Sequence, residues 1–508
     1  MISKINSGSV LGINGFSVMV EVDISQGLPG FDIVGLPDSA VKESKERVRT
    51  AIKNSNITFP MRRITVNLAP ADIKKEGPIF DLPISAGLLV CIGILDGAKL
   101  SDYFITGELS LDGSIRPVSG ILPMVISARD SNIKKCIVPY ENAKEACLVD
   151  GIEVYPVKGL NEMIGHFLNS PIPKMVNEND FFEDESDIFE LDFRDVKGQF
   201  VVKRAFEVSA AGGHNILVVG PPGSGKTMLA KRFSSILPKL DFNESLEVTK
   251  IYSVSSALSN KDYLIKKRPF RAPHHTASYA SLTGGGKNPK PGEISLAHNG
   301  VLFLDELTEF NRNVLEVLRQ PLEEKQITIS RASQSVTYPS NFILVASMNP
   351  CPCGYYGSNG KCTCTTQQIS RYLAKISGPL LDRVDIQVEA NFVNFDDLNK
   401  LSTAEPSAAI RSRVVKVREF QANRYKGEKI KINNELQPAM IDKYCVLDME
   451  SKKMLKRAFE SFNLSARAYH KIIKLARTIA DLEFSGNIRP AHIAEAISYR
   501  SLDRKYWG

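Results

Sequence analysis

The residues best placed to do chemistry lie in NILVVGPPGSGKTMLAKRF, between an apolar run and a helical pattern. The centre of this stretch fits the phosphate-binding pattern G-x-x-x-x-G-K-[ST] at every fixed position. Small residues let the backbone curl around phosphates at a helix N-terminus. We predict that Lys226 neutralises the β- and γ-phosphates and that Thr227 ligates Mg²⁺. The predicted ATP-binding residues are Gly220, Pro221, Pro222, Gly223, Ser224, Gly225, Lys226, Thr227 and Met228.

Two carboxylates form the next candidate group, at the end of the apolar run in VLFLDEL. The run predicts a buried strand, and ligands bind at the carboxyl ends of strands in open α/β sheets. Asp305 is predicted to hold the water shell of Mg²⁺. Glu306 is predicted to orient and polarise the attacking water, because phosphoryl transfer depends on positioning more than on covalent chemistry.

A third apolar run, FILVASMNP, ends in Asn349, whose amide is a candidate contact to the γ-phosphate or the water. Further on, the segment SGPLLDRVDI contains Arg383. Taken alone, this arginine would be predicted to form an ion pair at the surface. The order of strand, phosphate loop, acidic strand, Asn strand and arginine resembles that of the AAA+ ATPases. The resemblance implies that Arg383 is an arginine finger acting from a neighbouring subunit. It also implies a helical lid in which Arg467 reaches the γ-phosphate; a basic residue at a helix start is the other interpretation.

Strand-like and helix-like segments alternate along the chain and predict the α/β class. In the first part, GFSVMVEVDI and ITVNLAP are predicted strands, and DSAVKESKERVRTAIKNS is a predicted helix capped by Asp38 or Ser39. The predicted domains are an N-terminal α+β domain at 1–172, an acidic linker at 173–195, a P-loop core with a parallel sheet at 196–393 and a helical lid at 394–508.

Length and composition limit the class of protein. The chain has 508 residues, 43% of them hydrophobic and 24% charged, which suggests about three soluble globular domains. The longest apolar run, 82–95, is too short to span a bilayer, and the N-terminus shows no signal-like apolar segment. We therefore expect a cytoplasmic protein without membrane contact.

The net charge of +7 is unevenly spread. Nine acids and one base lie in 178–195, whereas 408–508 carries 21 Lys or Arg against 11 Asp or Glu. The basic C-terminal region suits either a polyanion or a solvated helical surface.

Two segments indicate more closely which kind of AAA+ ATPase this is. They lie on either side of the predicted strand that ends in Asp305 and Glu306. The first, RPFRAPHHTASYASLTGGGKNPKPGEISLAHNG, is rich in Gly, Pro and His and is predicted to be an extended loop region. Its adjacent histidines, His274 and His275, favour a contact to nucleotide, DNA or a neighbouring subunit over a metal site. The second contains ITISRA and SVTYPS, which alternate and predict a hairpin.

A hairpin in this place resembles that of the magnesium chelatases and the minichromosome maintenance helicases. Arg331 then falls near its tip, where it can contact a DNA backbone in a central pore. A hairpin that only packs against its neighbour is the alternative. The candidate DNA contacts are Arg331, Lys287 and Lys290.

Longer phrases extend the resemblance over nearly the whole chain. The chain is similar to the ComM/YifB family of magnesium-chelatase-like ATPases in GGHNILVVGPPGSGKTMLA, RPFRAPHHTAS, GGGKNPKPGEISLAHNGVLFLDEL, LRQPLE, NPCPCGYYG, SGPLLDRVDI and ARTIADL. This resemblance implies a ring, expected to be a homo-hexamer, that hydrolyses ATP and moves on DNA. Members of the family are linked to natural transformation, as helicases that drive branch migration during homologous recombination.

The N-terminal region carries a second resemblance. The segments FDLPISAGLLV and TGELSLDGSIRPVSGILPMVISARDSNIKKCIVPYENAKEA are similar to the proteolytic domain of Lon, which implies a Lon-like (S5-like) α+β fold. Lon uses a Ser–Lys dyad, in which the Lys activates the Ser hydroxyl. Ser85 lies near the nucleophile position, but Leu122 and Pro123 stand where the Lys is expected. We therefore predict a domain without peptidase activity that serves assembly or DNA engagement.

Half of the eight cysteines lie within 14 residues, at Cys351, Cys353, Cys362 and Cys364. A reducing cytosol argues against disulfides, and four thiolates suit tetrahedral Zn²⁺. The C-x-C spacing is tighter than the common C-x2-C, so four reduced thiols in a loop are the alternative. A structural Zn²⁺ here would stiffen the route from Asn349 to Arg383.

Several functions compete on these patterns. The leading one is a DNA motor of the ComM type, acting on branched or single-stranded DNA held through its phosphates. The second is the ATPase subunit of a magnesium chelatase-like complex, which the Lon-like domain and the cysteine cluster disfavour. An ATP-dependent protease is opposed by the missing Lys, and an ATP-gated scaffold by the intact Asp305 and Glu306.

Overall fold

The structure is a computed structural model that describes residues 2–176, 191–258, 263–286, 289–331, 334–357, 362–392, 404–462 and 465–507. Lys287 and most of the predicted acidic linker lie outside the described residues.

Strands and helices alternate along the described chain, as the pattern predicted. The strands are β1 Ile2–Leu11, β2 Asn14–Ser25, β3 Gly30–Val34, β4 Arg63–Ala69, β5 Tyr103–Ile105, β6 Glu108–Leu109, β7 Ile115–Arg116, β8 Lys135–Pro139, β9 Glu153–Val157, β10 Ile216–Val219, β11 Phe270–Arg271, β12 Gly284–Gly285, β13 Lys290–Pro291, β14 Val301–Leu304, β15 Gln326–Arg331, β16 Gln334–Pro339, β17 Ile343–Met348 and β18 Ile386–Glu389. The α-helices are α1 Ser39–Asn54, α2 Asp81–Cys91, α3 Gly97–Leu100, α4 Ile121–Asp130, α5 Ala143–Ala146, α6 Leu160–Leu168, α7 Phe200–Gly212, α8 Lys226–Arg232, α9 Phe242–Ser255, α10 Tyr279–Thr283, α11 Glu293–Leu296, α12 Arg312–Glu316, α13 Arg319–Glu324, α14 Thr366–Leu373, α15 Gly378–Leu381, α16 Ser407–Arg424, α17 Pro438–Tyr444, α18 Met449–Phe462, α19 Ala466–Leu482 and α20 Pro490–Ser498.

The chain divides into two compact units. The first comprises Met1–Glu183 together with Asp241–Lys266, and the second comprises Asp184–Leu240 together with Lys267–Gly508. The chain therefore leaves the second unit after residue 240 and returns to it at residue 267.

A seven-stranded sheet is the frame of the first unit, in the order β3-β4-β2-β1-β5-β8-β9. Strands β1 and β4 pair antiparallel with β2, and the outer strands pair parallel with their neighbours. Helix α1 begins at Asp38, whose carboxylate accepts the backbone N–H of Val41 at 2.8 Å. Val41, Val48 and Ile52 are buried along one face of α1, as the helical spacing predicted.

The long apolar run forms helix α2, which is buried from Asp81 to Val90. Its buried carboxylate, Asp81, is bound by Arg47, with Nε–Oδ2 at 2.6 Å and Nη2–Oδ1 at 3.0 Å. Burial raises the pKa of Asp81, and the guanidinium acts against that shift. The pairing lets a charged residue stand at the start of an otherwise apolar helix.

Helix α9 belongs to the first unit, although the sequence places it after the phosphate loop. The carbonyl of Ser253 accepts the N–H of Gly120, at the start of α4, at 3.2 Å. Leu246 and Tyr263 pack against the core of the first unit. The predicted domain 196–393 therefore includes a segment, Asp241–Lys266, that belongs to the same compact unit as the N-terminal domain.

The second unit is built on a five-stranded parallel sheet in the order β11-β14-β17-β10-β18. Its strands are short and buried almost throughout, which is typical of parallel sheets covered on both faces. The segment between β11 and β14, predicted to be an extended loop, instead contains the short helices α10 and α11 and the two-residue ladder β12–β13 in its described residues.

Helices α16–α20 form the C-terminal region, with α19 buried along most of its length. His214, just before β10, contacts Thr478 of α19 with Nε2 and Oγ1 2.8 Å apart. The buried Asp385, just before β18, pairs with Lys471 of α19 at 2.8 Å. The predicted α/β class, parallel core sheet and helical C-terminal region are confirmed. Among the described helices, none is long and apolar enough to cross a membrane.

Candidate nucleotide site and cysteine cluster

The glycine-rich loop joins β10 to α8, as the motif predicted. Gly223 and Gly225 have φ values of 79° and 87°, in the left-handed region that favours glycine. A Cβ on Gly220 would lie 2.3 Å from the carbonyl oxygen of Ala390, at the end of β18. A larger residue at position 220 would therefore push the loop away from the sheet.

Lys226 is the first residue of α8. Its ammonium donates to the carbonyl oxygens of Gly220 and Pro221, at 2.7 and 2.9 Å, and to Oδ1 of Asn349, at 3.2 Å. Burial lowers the pKa of Lys226, and the two carboxylates that follow β14 act in the opposite direction. Lys226 and Asn349, predicted from separate motifs, are thus brought together.

Thr227 and Asp305 form a pair of oxygen ligands. Thr227 Oγ1 donates to Asp305 Oδ2 at 2.7 Å, and the hydroxyl of Ser347 in β17 donates to Asp305 Oδ1. A hydroxyl and a carboxylate are the hard oxygen donors that Mg²⁺ prefers. The residues present therefore fit a magnesium ion beside the phosphate loop, and their role as its ligands stays a prediction.

Glu306 follows Asp305 at the carboxyl edge of the sheet. Its φ of 52° places it in the left-handed region, and its N–H donates to Asp305 Oδ1 at 3.1 Å. Its carboxylate Oε2 lies 3.6 Å from Nδ1 of His275. The histidine pair highlighted in the sequence thus reaches the residue predicted to polarise water.

Arg383 and Arg467 meet at one carboxylate, that of Glu323 in α13. The Arg383 guanidinium pairs with Glu323 and donates to the carbonyl of Pro379 at 2.6 Å. Arg467 Nη2 lies 3.7 Å from the same Glu323 Oε1. The two arginines lower the pKa of Glu323, with Arg383 the stronger. Within the described part of this chain neither arginine has a polar contact with residues 220–228, so their predicted catalytic roles stay predictions.

The predicted hairpin is present. Strands β15 and β16 pair antiparallel from Gln326 with Pro339 to Arg331 with Gln334, so Arg331 lies at the end of the ladder and is exposed. Lys290 is exposed in β13 and is paired with Gly285. A Cβ on Gly285 would lie 3.0 Å from Arg331 Nη2, which places this ladder beside the end of the hairpin.

A cleft links the hairpin to Arg383. It has a volume of about 580 Å³, and its lining includes Arg331, Arg383 and Glu323. One residue predicted to contact DNA, Arg331, and the predicted arginine finger, Arg383, therefore line the same cleft.

The four cysteines of the cluster lie together. Their sulfur atoms are all within 4.8 Å of one another. The Sγ–Sγ distances are 3.3 Å from Cys351 to Cys353, 3.8 Å from Cys351 to Cys362 and 3.6 Å from Cys353 to Cys362. A tetrahedron with Zn–S bonds of 2.3 Å has edges of about 3.8 Å, so the geometry suits one metal ion.

The electrostatics of the cluster favour a thiolate at Cys353, whereas desolvation and the thiols of Cys353 and Cys351 raise the pKa values of Cys362 and Cys364. Backbone hydrogen bonds from Tyr355 and Thr363 lower the pKa of Cys353 to about 6. The N–H of Tyr356 donates to Cys351 Sγ at 3.3 Å. Backbone N–H groups directed at sulfur are a common feature of metal-binding thiolates.

The cysteine loop touches the phosphate loop. Gly354 has a φ of 86°, and a Cβ on it would lie 2.6 Å from Cδ of Pro222. The same Cβ would lie 3.9 Å from the amide carbon of Asn349. The cysteine loop therefore packs against Pro222, one of the predicted ATP-binding residues.

In the first unit, the two residues at the positions compared with the Ser–Lys dyad of Lon, Ser85 and Leu122, are buried and engaged in other hydrogen bonds. Ser85 is fully buried, and its hydroxyl donates to the carbonyl of Asp81 at 2.9 Å. Leu122 is fully buried, and its N–H donates to Glu145 Oε1 at 3.1 Å. This geometry supports the predicted lack of peptidase activity, which stays a prediction.

Three contacts of the site were missed from the sequence. Ser347 lies two residues before Asn349, so the alternation of a strand puts both side chains on one face, and this signal was available. The other two contacts are that of His275 with Glu306 and that of Glu323 with both Arg383 and Arg467. They depend on how elements distant in the sequence pack together, which local sequence patterns do not predict.

A phosphate loop, an acidic strand end and an asparagine gathered at the carboxyl edge of a parallel sheet define the nucleotide site of an AAA+ ATPase. Models of known families match most of the chain. They are described as magnesium chelatase, subunit ChlI, for residues 192–398; subunit ChlI of Mg-chelatase, for 20–142; and magnesium chelatase, subunit ChlI C-terminal, for 404–500.

Relatives extend the match to the full length. The chain is 44% identical over 504 residues to the competence protein ComM of Haemophilus influenzae, covering 98% of this chain and 97% of that protein. It is 43% identical over 509 residues to the protein YifB of Escherichia coli, covering 99% and 98%. The chain belongs to the ComM/YifB family of magnesium-chelatase-like AAA+ ATPases.

The Lon resemblance of the N-terminal region is confirmed. Lon protease 2 of Bacillus subtilis is 31% identical over 186 residues, covering 33% of this chain and 31% of that protein.

Proposed function

We propose that the protein is an ATP-driven DNA motor of the ComM type that promotes branch migration of recombination intermediates. Its substrate is branched or single-stranded DNA, and its physiological setting is homologous recombination, including natural transformation. The ATPase part rests on one observation, the assembly of Lys226, Asn349, Thr227 and Asp305 by direct hydrogen bonds at one sheet edge. The motor part is supported by the full-length likeness to a competence protein.

Each residue of the candidate site has a separate role in ATP hydrolysis. The Lys226 ammonium binds the β- and γ-phosphates, and Asn349 contacts the γ-phosphate or the attacking water. Glu306 polarises that water, since phosphoryl transfer needs positioning and charge stabilisation. Thr227 and Asp305 would hold Mg²⁺, which neutralises phosphate charge when bound.

The active form is a homo-oligomeric ring, a hexamer. Arg383 and Arg467 contact Glu323 and have no polar contact with residues 220–228 among the described residues of their own chain. This supports a role for Arg383 towards the nucleotide of a neighbouring copy, where it stabilises transition-state charge. Ring assembly should then depend on nucleotide.

DNA contacts lie at the exposed end of the β15–β16 hairpin. Arg331 and Lys290 are both exposed there, and we add Lys287 from the sequence. Contacts to phosphates carry no base information, so binding is expected to be independent of sequence and sensitive to salt.

The central test measures ATP hydrolysis and strand displacement on forked and four-way DNA. We expect DNA to stimulate hydrolysis and the branch point to move. Lys226→Ala is expected to abolish ATP binding, and Glu306→Gln to bind ATP without hydrolysing it. Hydrolysis that ignores DNA, with no junction moved, would contradict the motor and favour an ATP-gated scaffold or a chelatase-like subunit.

The hairpin contact is tested separately. We expect Arg331→Ala to weaken binding to all DNA sequences alike and to reduce the slope of log affinity against log salt by about 1. Lys456→Ala removes another exposed charge, from helix α18, and serves as the matched control. Equal losses in the two variants would indicate a general charge effect in place of a hairpin contact.

We also propose that the four-cysteine cluster binds one structural Zn²⁺. Metal analysis of the purified protein is expected to find about one zinc per chain, lost in Cys351→Ser and retained in Cys91→Ser, a half-buried cysteine outside the cluster. Protein without zinc, or four thiols that react freely in the native state, would rule the site out.

A second candidate function is the ATPase subunit of a magnesium chelatase-like complex, which the descriptions of all three matching family models favour. The model for residues 20–142 carries that description too, so the N-terminal domain does not separate the two candidates. The motor ranks first because the competence protein matches over almost the whole of both chains.

A further inference from the structure

The segment after β11 reaches the same sheet edge as the two carboxylates. Strand β11 pairs parallel with β14, with Phe270 opposite Val301, so both strands deliver the residues that follow them to the carboxyl edge. Arg271 fixes β11, since its Nε and Nη2 donate to the carboxylate of Glu293 at 2.6 and 2.7 Å. The loop that carries His275 therefore starts from an anchored strand.

Neighbouring side chains hold the ring of His275 in place. It packs against the tilted ring of His274 with ring centroids 4.1 Å apart, and it meets the buried Phe310 edge-on at 6.5 Å. His274 is held in turn, because its Nδ1 lies 2.9 Å from the hydroxyl of Thr276. The imidazole thus has a defined position beside the sheet edge.

Glu306 needs a partner to fix its direction. Its side chain is 57% exposed, and among the described residues His275 has the one side chain in polar contact with its carboxylate. The Nδ1–Oε2 distance of 3.6 Å is longer than a good hydrogen bond. The proposed contact therefore requires a closer approach of the two side chains.

We propose that His275 is a positioning residue for Glu306. Its Nδ1–H donates to one carboxylate oxygen, which leaves the other oxygen directed at the attacking water. The inference rests on the proposed role of Glu306 in ATP hydrolysis. Because a loosely oriented base loses much of its effect, a fixed carboxylate raises the rate of the chemical step without changing nucleotide affinity.

The test uses steady-state hydrolysis by the full-length protein. We expect His275→Ala to lower kcat roughly tenfold, which is the usual loss for a residue that orients another residue in direct contact with the reacting groups. The KM for ATP is expected to change less than about twofold. His275→Asn presents an amide N–H near the place of Nδ1 and is expected to recover most of the rate. His275→Gln presents it near Nε2 and is expected to recover little.

Two controls separate positioning from loop damage. His274→Ala removes the neighbouring ring without removing the contact to Glu306, and we expect a clearly smaller loss of kcat. In a Glu306→Asp background, which withdraws the carboxylate but is expected to leave measurable residual hydrolysis, His275→Ala is expected to lower kcat by much less than tenfold, since residues that act as a unit are not additive. An unchanged or higher kcat in His275→Ala, or no recovery in His275→Asn, would overturn the inference.

The result also separates this inference from the function it rests on. If Glu306→Gln hydrolyses ATP at the normal rate, the proposed role of Glu306 fails. If Glu306→Gln is inactive and His275→Ala is normal, the role of Glu306 stands and the role of His275 alone fails.

Discussion

Gly354 is the residue at which the cysteine cluster and the phosphate loop touch. An alanine there would place its Cβ 2.6 Å from Cδ of Pro222, so the phosphate loop has to move. We expect Gly354→Ala to weaken ATP binding severalfold and to cost about 1–3 kcal/mol of stability, the usual cost of overpacking. ATP titration and thermal unfolding measure the two effects.

Gly357 offers a matched control for this substitution. Its φ of 83° is close to the 86° of Gly354, but among the described residues a Cβ there meets only the end of the Lys505 side chain, with Nζ at 3.7 Å. Gly357→Ala should therefore carry the same backbone strain and leave ATP binding intact. Equal losses of ATP binding in both variants would show that strain, and not contact with Pro222, is responsible.

For single residues, the sequence predicted which side chains form the candidate site better than it predicted which side chains they contact. The phosphate loop, the acidic pair and Asn349 follow local patterns, and the structure places Lys226 against Asn349 and Thr227 against Asp305. The partner of Arg383 is Glu323, which lies 60 residues away along the chain. A pairing of that kind depends on the packing of distant elements, which side-chain spacing does not encode.

Among the elements, the turn before β10 and the C-terminal helix α19 are joined by His214. Burial lowers the pKa of His214 to about 4; Asp385 acts in the opposite direction, and nearby lysines add to the lowering. An unfolded histidine takes up its proton near pH 6.5, so the unfolded state binds more protons between these two values. The titration of His214 alone is therefore expected to lower the free energy of unfolding by about 3 kcal/mol as the pH drops from 6.5 to 4.

His214→Gln isolates this effect. A glutamine amide can keep the contact with Thr478 Oγ1, which is 2.8 Å from His214 Nε2, but it takes up no proton. Urea unfolding across the pH range should show a shallower decline in the variant than in the natural protein. Parallel curves would mean that His214 is not a source of the acid sensitivity.

Most elements of the fold were predictable, for identifiable reasons. The runs that form β10, β14 and β17 are apolar and bounded by polar or glycine-rich residues. For α1, the capping residue and the spacing of the apolar residues predicted both the start of the helix and its buried face. The region between β11 and β14 was harder. Its short helices contain five and four residues, too few for helical spacing to appear above a background of glycine and proline.

On the scale of the whole molecule, neighbours along the chain belong to different units. Leu246 packs in the first unit and Leu229 in the core of the second, although only a short stretch of chain separates them. We expect Leu246→Ala to loosen the core of the first unit and leave ATP binding unchanged. Leu229→Ala should loosen β10 and weaken ATP binding, because a cavity beside α8 disturbs the phosphate loop.

Hydrogen exchange resolved by strand, together with ATP titration, distinguishes the two variants. Loss of protection in β10 from Leu246→Ala would contradict the division of the chain into these units. The excursion of Asp241–Lys266 had no sequence signal, since its capped helix looks like any other helix of a parallel α/β core.

That excursion also fixes the order in which the protein is completed on the ribosome. Domains usually fold from the N-terminus as they emerge. Here the first unit is complete only after helix α9 has been synthesised, and the glycine-rich loop of the second unit precedes that helix in the chain. Until Ser253 has been synthesised, the N–H of Gly120 lacks its carbonyl partner, so the order of translation differs from the order in which the two units are completed.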